Sequence, residues 1–296
     1  MRIRKPCAAQ TAGLGNIFSQ KNNKGEENET MKKILALVLV LIMALGLAAC
    51  AAPAAPAEEP TPAAEPETEK VDSQAILAEL KTPAEESNWE RTTSSQEVID
   101  FLKVVAEHSA GRIILDTTTF ATEAGTPIPY MIISDVAPAS PADVPEDKGV
   151  VYVNCNIHSG EIEGKESMMI FAREVAQGKH DDLLKDLVVI IVPNSNPDGN
   201  DNLGKNRITT QFTPKLVGTR AEGNGLNVNR DMTKLETACG RTIVKLMNDW
   251  NPILFIDAHA TDGSYMRHAV TYNWGLNAGT DAELLAYNLS LIHISE

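Results

Sequence analysis

The chain has 296 residues, 43% of them hydrophobic, which is enough to build a sizeable core. It carries 26 Lys and Arg against 40 Asp and Glu, a formal net charge of −14. That balance offers no electrostatic footprint for nucleic acid and no attraction to an anionic membrane surface except through an attached lipid.

Residues 1–30 are polar and lack a targeting pattern, so Met31 reads as the working start and the stretch before it as non-native or unstructured. Lys32 and Lys33 precede a continuous apolar run from Ile34 to Leu47, followed by Leu47-Ala-Ala-Cys50. A basic flank and a short apolar run read as a secretory signal over residues 31–49, too short for a comfortable membrane span. Small residues ending in Cys resemble a bacterial lipobox. Cleavage there leaves Cys50 as a lipid-carrying amino terminus, anchoring the protein to the outer face of the cell membrane. From Ala51 to Lys70 the chain holds seven Ala, five Pro and five Glu. Such a composition builds no core and stays extended. Residues 50–87 therefore read as a lipidated tether, and residues 88–296 as the folded domain.

Within that domain, Ser94 and Glu97 have capping-box spacing, and Val98, Phe101, Leu102 and Val105 recur at helical intervals. Residues 113–115 and 130–134 read as strands. Helices are expected from about Gly164 to Val175, with Met168, Met169, Phe171 and Ala172 inward, and from Leu235 to Trp250, with Ile243, Leu246 and Met247 inward. Three apolar runs, at 149–157, 187–192 and 252–259, read as buried strands of a parallel sheet. Alternating strand and helix argue for an α/β fold with a mostly parallel, mixed central sheet flanked by helices. Cys155 falls in a strand and Cys239 in a helix. Both are expected to be unbridged small hydrophobes.

Two of the buried runs end in histidine, His158 and His259, and Glu161 follows His158 at H-x-x-E spacing. In open α/β sheets the ligand crevice lies at the carboxyl ends of the strands. Two imidazoles and one carboxylate, with a fourth position left to water, make up a catalytic zinc site. Between them lie Asn196-Pro-Asp-Gly199 and Gly225-Leu-Asn-Val-Asn229-Arg230-Asp231. His108 and His180 sit near helix carboxyl ends and read as structural. His268 either lines the cleft or occupies a solvated strand, and His293 carries no readable signal.

In this order of motifs the sequence resembles the zinc carboxypeptidases of the funnelin type, the carboxypeptidase A family. The resemblance implies that His158, Glu161 and His259 hold one zinc ion per chain. It implies that Asn229 and Arg230 clamp the terminal carboxylate of a peptide substrate, a task suited to the planar guanidinium fork. Arg220 matches the arginine that polarises the scissile carbonyl, with Arg207 as its rival. Two departures stand out. The family's general-base glutamate lies farther beyond the third zinc ligand than this sequence extends, and neither Glu283 nor Glu296 is a substitute. The sequence therefore reads as incomplete, with little hydrolase activity expected of it alone. The family also has Asp where this chain has Asn227, which would accept the N–H bond of the first zinc histidine without adding charge. The expected function is a surface carboxypeptidase acting on nutrient or cell-wall peptides. The competing readings are a zinc deacylase of N-acyl amino acids and a non-catalytic peptide-binding lipoprotein.

Overall fold

The computed structural model describes residues 72–208, 211–260, 271–272, 277 and 279–290, all within the compact unit Glu69–Glu296. Cys50, with the signal and most of the tether around it, lies outside the described residues, as do His268, His293 and Glu296.

Five strands form one sheet in the order β1-β2-β4-β3-β7: β1 (Ile113–Asp116), β2 (Tyr130–Ile133), β3 (Gly149–Asn154), β4 (Leu187–Val192) and β7 (Leu254–Asp257). The β1–β2 and β2–β4 pairs are antiparallel, and β3–β4 and β3–β7 are parallel. Parallel and antiparallel pairs are thus even within this sheet, among the described residues. The parallel half carries the ends that matter for chemistry. A two-stranded ribbon, β5 (Gly204–Lys205) with β6 (Leu216–Val217), stands apart from the sheet.

The period-two alternation of β4 divides its apolar residues between two cores. Val189 and Ile191 face one side, with Leu102, Val105, Met169 and Ala172 from α3 (Ser95–Glu107) and α4 (Glu163–Ala176). Val188, Ile190 and Val192 face the other, with Ile243, Leu246 and Trp250 of α7 (Ala238–Trp250). The result is a three-layer α/β/α arrangement. The α3 capping box forms as its spacing predicts: Ser94 and Glu97 exchange side-chain and backbone bonds. Met168 and Phe171 are only partly buried, whereas Met169 and Ala172 are fully so.

Two expectations change. Folded structure begins before Asn88, with α1 (Ser73–Glu79) and α2 (Pro83–Glu86). Leu77 is fully buried in the first core, and Arg173 of α4 grips Glu85 with both guanidinium nitrogens, at 2.7 and 2.9 Å. An acidic, proline-bearing segment read as tether is therefore held by buried Leu77 and Ala84, by a bidentate ion pair, and by hydrogen bonds such as that from Gln177 Nε2 to Leu77 O at 2.8 Å. The second change is at β7, expected to be buried. Leu254 and Ile256 are 41% and 42% exposed, because β3 is its one partner among the described strands. Cys155 and Cys239 are buried and unbridged.

Candidate metal centre

The loop leaving β3 makes a tight turn before α4. Asn156 has a positive φ of 61°, and Glu161 N donates to His158 O at 2.8 Å, so the side chains of His158 and Glu161 converge. Both are buried, and His158 Nδ1 lies 2.9 Å from Glu161 Oε1. Because β7 runs parallel to β3 in the register Asn154↔Asp257, its exit lies beside that turn. Gly164, at the start of α4, permits this closeness: a Cβ there would sit 3.0 Å from Ala258 Cβ and 3.3 Å from Cys155 Sγ. His259 Nδ1 then reaches Glu161 Oε2 at 2.8 Å, and the two imidazole centres are 5.0 Å apart.

The outer nitrogens of both rings are also engaged. His158 Nε2 lies 3.2 Å from Asn227 Oδ1, and His259 Nε2 lies 2.9 Å from Asp257 Oδ2. With Nε2–H donating outward in each ring, both Nδ1 lone pairs face the Glu161 carboxylate. Lone pairs this close to a carboxylate require a shared positive charge. The ligand atoms of His158, Glu161 and His259 all lie within 4.8 Å of one another. Two nitrogens and a carboxylate oxygen are a donor set that suits zinc, and partners on the far side of each imidazole fix ring orientation and raise basicity. Without a metal ion, protons answer the same demand. The hydrogen bond to Asp257, then that to Glu161, raises His259 to a pKa of about 9. Burial pushes Glu161 up, but its bonds to His158 and His259 prevail and hold it at about 2.

The Asn196-Pro-Asp-Gly199 motif acts as a bracket. Asn196 caps the short helix α6 (Pro197–Asp201), its Oδ1 accepting from Gly199 N at 3.0 Å. Its Nδ2 bridges the carbonyls of Ile157 and Arg220, each at 3.3 Å. The strand-like segment 217–221 lies directly on α6. A Cβ on Gly199 would be 2.7 Å from Thr219 O, and one on Gly218 would be 2.5 Å from Gly199 O. Only glycine allows that approach. It delivers Arg220 to the centre, with Nη1 2.9 Å from His158 Nδ1 and Nη2 3.1 Å from Glu161 Oε1.

Asn227, Asn229 and Arg230 lie on the next loop. Asn227 Oδ1 caps the 3-10 turn Val228–Arg230 as well as facing His158. Asp231 closes this loop onto α7, accepting from Glu236 N, Thr237 N and Thr237 Oγ1, while Glu222 accepts from Cys239 N. Arg230 is exposed, and its Nη1 bonds the carbonyl of Asn229. A cavity of about 620 Å³ opens beside the centre, lined by His158, Glu161, Arg207 and Arg220 among others. Asn229 and Arg230 are not among its lining residues. Glu161 is the one carboxylate lining it among the described residues, and Glu283 is exposed on α8 (Ala282–Ser290).

Sequence reading did not single out Asp257. The available signal was its place two residues before His259, which puts both side chains on one side of an extended segment. Nor did it single out Lys165, fully buried behind the H-x-x-E turn, where Nζ bonds Thr93 O and Asn200 Oδ1, each at 2.7 Å.

The family model described as zinc carboxypeptidase matches residues 101–283. A search of curated protein sequences returns no match. Among solved structures, a metallo-carboxypeptidase from Burkholderia cenocepacia is similar at 19% identity and a TM-score of 0.42, over 56% of this chain and 41% of that one. A metallo-carboxypeptidase from Pseudomonas aeruginosa, solved with (2-guanidinoethylmercapto)succinic acid, is similar at 18% identity and a TM-score of 0.40, over 55% and 40%. Bovine thrombin-activatable fibrinolysis inhibitor, in complex with tick carboxypeptidase inhibitor, is similar at 16% identity and a TM-score of 0.47, over 68% and 70%. The chain thus spans about two fifths of the length of the two bacterial enzymes.

Proposed function

The chain belongs to the zinc carboxypeptidase family, and on that premise we propose that it is the metal-holding part of a hydrolase that removes C-terminal residues from peptides. The observation that carries this reading is the convergence of His158, Glu161 and His259, with Arg220 laid against the first two. These three residues would hold one zinc ion, and Asn227 and Asp257, bonded to the outer nitrogens, keep the imidazoles turned toward Glu161. Bound zinc would polarise a carbonyl and acidify a water molecule. Arg220 meets the negative charge that develops on the scissile carbonyl oxygen. Asn229 and Arg230 take the substrate's terminal carboxylate, Arg230 swinging from its bond to the neighbouring backbone. The carboxylate that accepts the water's proton and returns it to the leaving nitrogen comes from outside the described residues, since Glu161 is committed to the histidines.

Cys50, carrying lipid, would hold this domain at the cell surface, where nutrient or cell-wall peptides are its substrates. No helix among the described residues is long and apolar enough to cross a membrane. In cells, Cys50→Ser is expected to move the protein from the membrane fraction to the medium, and a wild type already found in the medium would contradict the anchor.

Binding of matched peptides with free and amidated C-termini to the zinc-loaded chain tests the substrate class. Arg230→Ala should weaken the free-carboxylate peptide by roughly 10- to 100-fold, the size of a lost charge-assisted contact, and leave the amide unaffected. Equal loss on both peptides would contradict the clamp. Preferential binding and cleavage of N-acyl amino acids would favour a deacylase instead.

A further inference from the structure

One wall of the cavity carries charge that the proposed reaction does not use. Lys205, at the end of β5, and Arg207, just beyond it, line the cavity together with Arg220. Both side chains are exposed, and neither has a hydrogen-bond or ion-pair partner among the described residues. Glu161, the one carboxylate on the lining among the described residues, is taken by His158, His259 and Arg220. In a chain with 26 basic and 40 acidic side chains, three cations facing one committed carboxylate invert the overall balance.

The presentation of these cations is built into the backbone. Residues two apart on an extended segment project to the same side, so Lys205 and Arg207 form a pair while Asn206 points the other way. Asn206 anchors the segment: its backbone N donates to Lys215 O at 2.8 Å, its Nδ2 to Pro214 O at 2.9 Å, and its Oδ1 accepts from Ile208 N at 2.9 Å. Ile208 and Val217 line the same cavity. Apolar walls beside like charges concentrate their field on whatever enters. Two cations on one wall, with no counter-charge of their own among the described residues, repel each other, and an anionic ligand relieves that repulsion.

We propose that Lys205 and Arg207 form an anion subsite that selects substrates carrying a second carboxylate, an acidic side chain on the N-terminal side of the scissile bond. This rests on the carboxypeptidase reading for its direction. Arg230, which takes the terminal carboxylate, lies outside the cavity, and the metal donors lie on its lining. A peptide whose end is held by Arg230 therefore runs its remaining residues past the metal and into the cavity, toward Lys205 and Arg207.

The test uses the zinc-loaded full chain and N-acetylated tripeptides with Glu or Gln before the C-terminal residue, each with a free or amidated C-terminus. Dissociation constants are measured by calorimetry at low and high salt, with turnover followed in parallel. The Glu peptide should bind on the order of tenfold tighter than the Gln peptide at low salt, with the ratio shrinking as salt is added. The Lys205→Gln/Arg207→Gln double variant, and each single variant in part, should bring that ratio toward one. Circular dichroism and zinc content establish that the variants are folded. A ratio near one in the unaltered protein, or a Glu preference that survives in the folded double variant, would overturn the subsite. So would a double variant that loses discrimination between free and amidated ends instead, because the wall would then hold the terminal carboxylate. A Glu preference carried by Lys205 and Arg207, with no dependence on a free C-terminus, would uphold the subsite and overturn the carboxypeptidase reading.

Discussion

Asn196→Ala removes the bracket that joins three segments of the site. The side chain accepts the Gly199 amide as a helix cap and donates to the carbonyls of Ile157 and Arg220. Losing an Asn cap costs about 1 kcal/mol. The two carbonyls, bonded at 3.3 Å, are long contacts in a buried setting, and each is worth about 0.5–1 kcal/mol. Together the change should destabilise the fold by about 2–3 kcal/mol. With a urea dependence of about 2 kcal/mol per molar, the unfolding midpoint should fall by about 1–1.5 M. Asn196→Asp separates the two roles. An aspartate still caps Gly199 N but brings no donor and sets a charged oxygen against the Ile157 and Arg220 carbonyls, so at least half of the loss should remain. Urea unfolding followed by circular dichroism, with and without zinc, reads both variants. A midpoint shift below about 0.3 M for Asn196→Ala, or an Asn196→Asp protein as stable as the wild type, would refute the reasoning.

In the chelated protein, the pKa of His259 is raised from 6.5 to about 9, so its contribution to stability should be complete below pH 6.5 and lost as pH rises through 9. Urea midpoints measured in EDTA between pH 6 and 9.5 should show that decline, and Asp257→Asn should flatten it. Asp257→Asn should also weaken zinc binding by about 10- to 100-fold, the usual cost of removing a carboxylate behind a ligating imidazole. Equilibrium competition with a zinc chelator measures this, and unchanged affinity would dismiss Asp257 as an orienting group. Lys165→Met should cost about 3–5 kcal/mol in unfolding experiments, because buried Glu166 loses the cation 3.6 Å away. Adding Glu166→Gln should recover part of that loss, and a double variant no better than the single would argue against the charge pairing.

The two histidines of the candidate metal centre were legible because each follows an apolar run, where strand periodicity and α/β topology converge, and Glu161 was legible by its H-x-x-E spacing from His158. His158 and His259 meet because β3 and β7 are adjacent and parallel, which sequence pattern can suggest. The Ser94 capping box and the inner face of α7 were readable for similar local reasons. What escaped depends on contacts between distant segments. Glu85 reads as one more acid in an acidic stretch until Arg173, 88 positions away, grips it. Lys165, Asn156 and Asn200 look like surface residues in sequence, yet they form a buried network behind the metal turn. Hydrophobic pattern cannot distinguish a satisfied buried amide from a solvated one. The exposure of Leu254 and Ile256 has the same origin: an apolar run announces a strand, but its neighbours decide its burial.

Zinc content measured on the purified chain after dialysis tests the central claim most directly. One zinc ion per wild-type chain, falling to near zero in the His158→Ala/His259→Ala double variant while circular dichroism stays intact, is the predicted result. A folded double variant that retains its full zinc content would contradict the account.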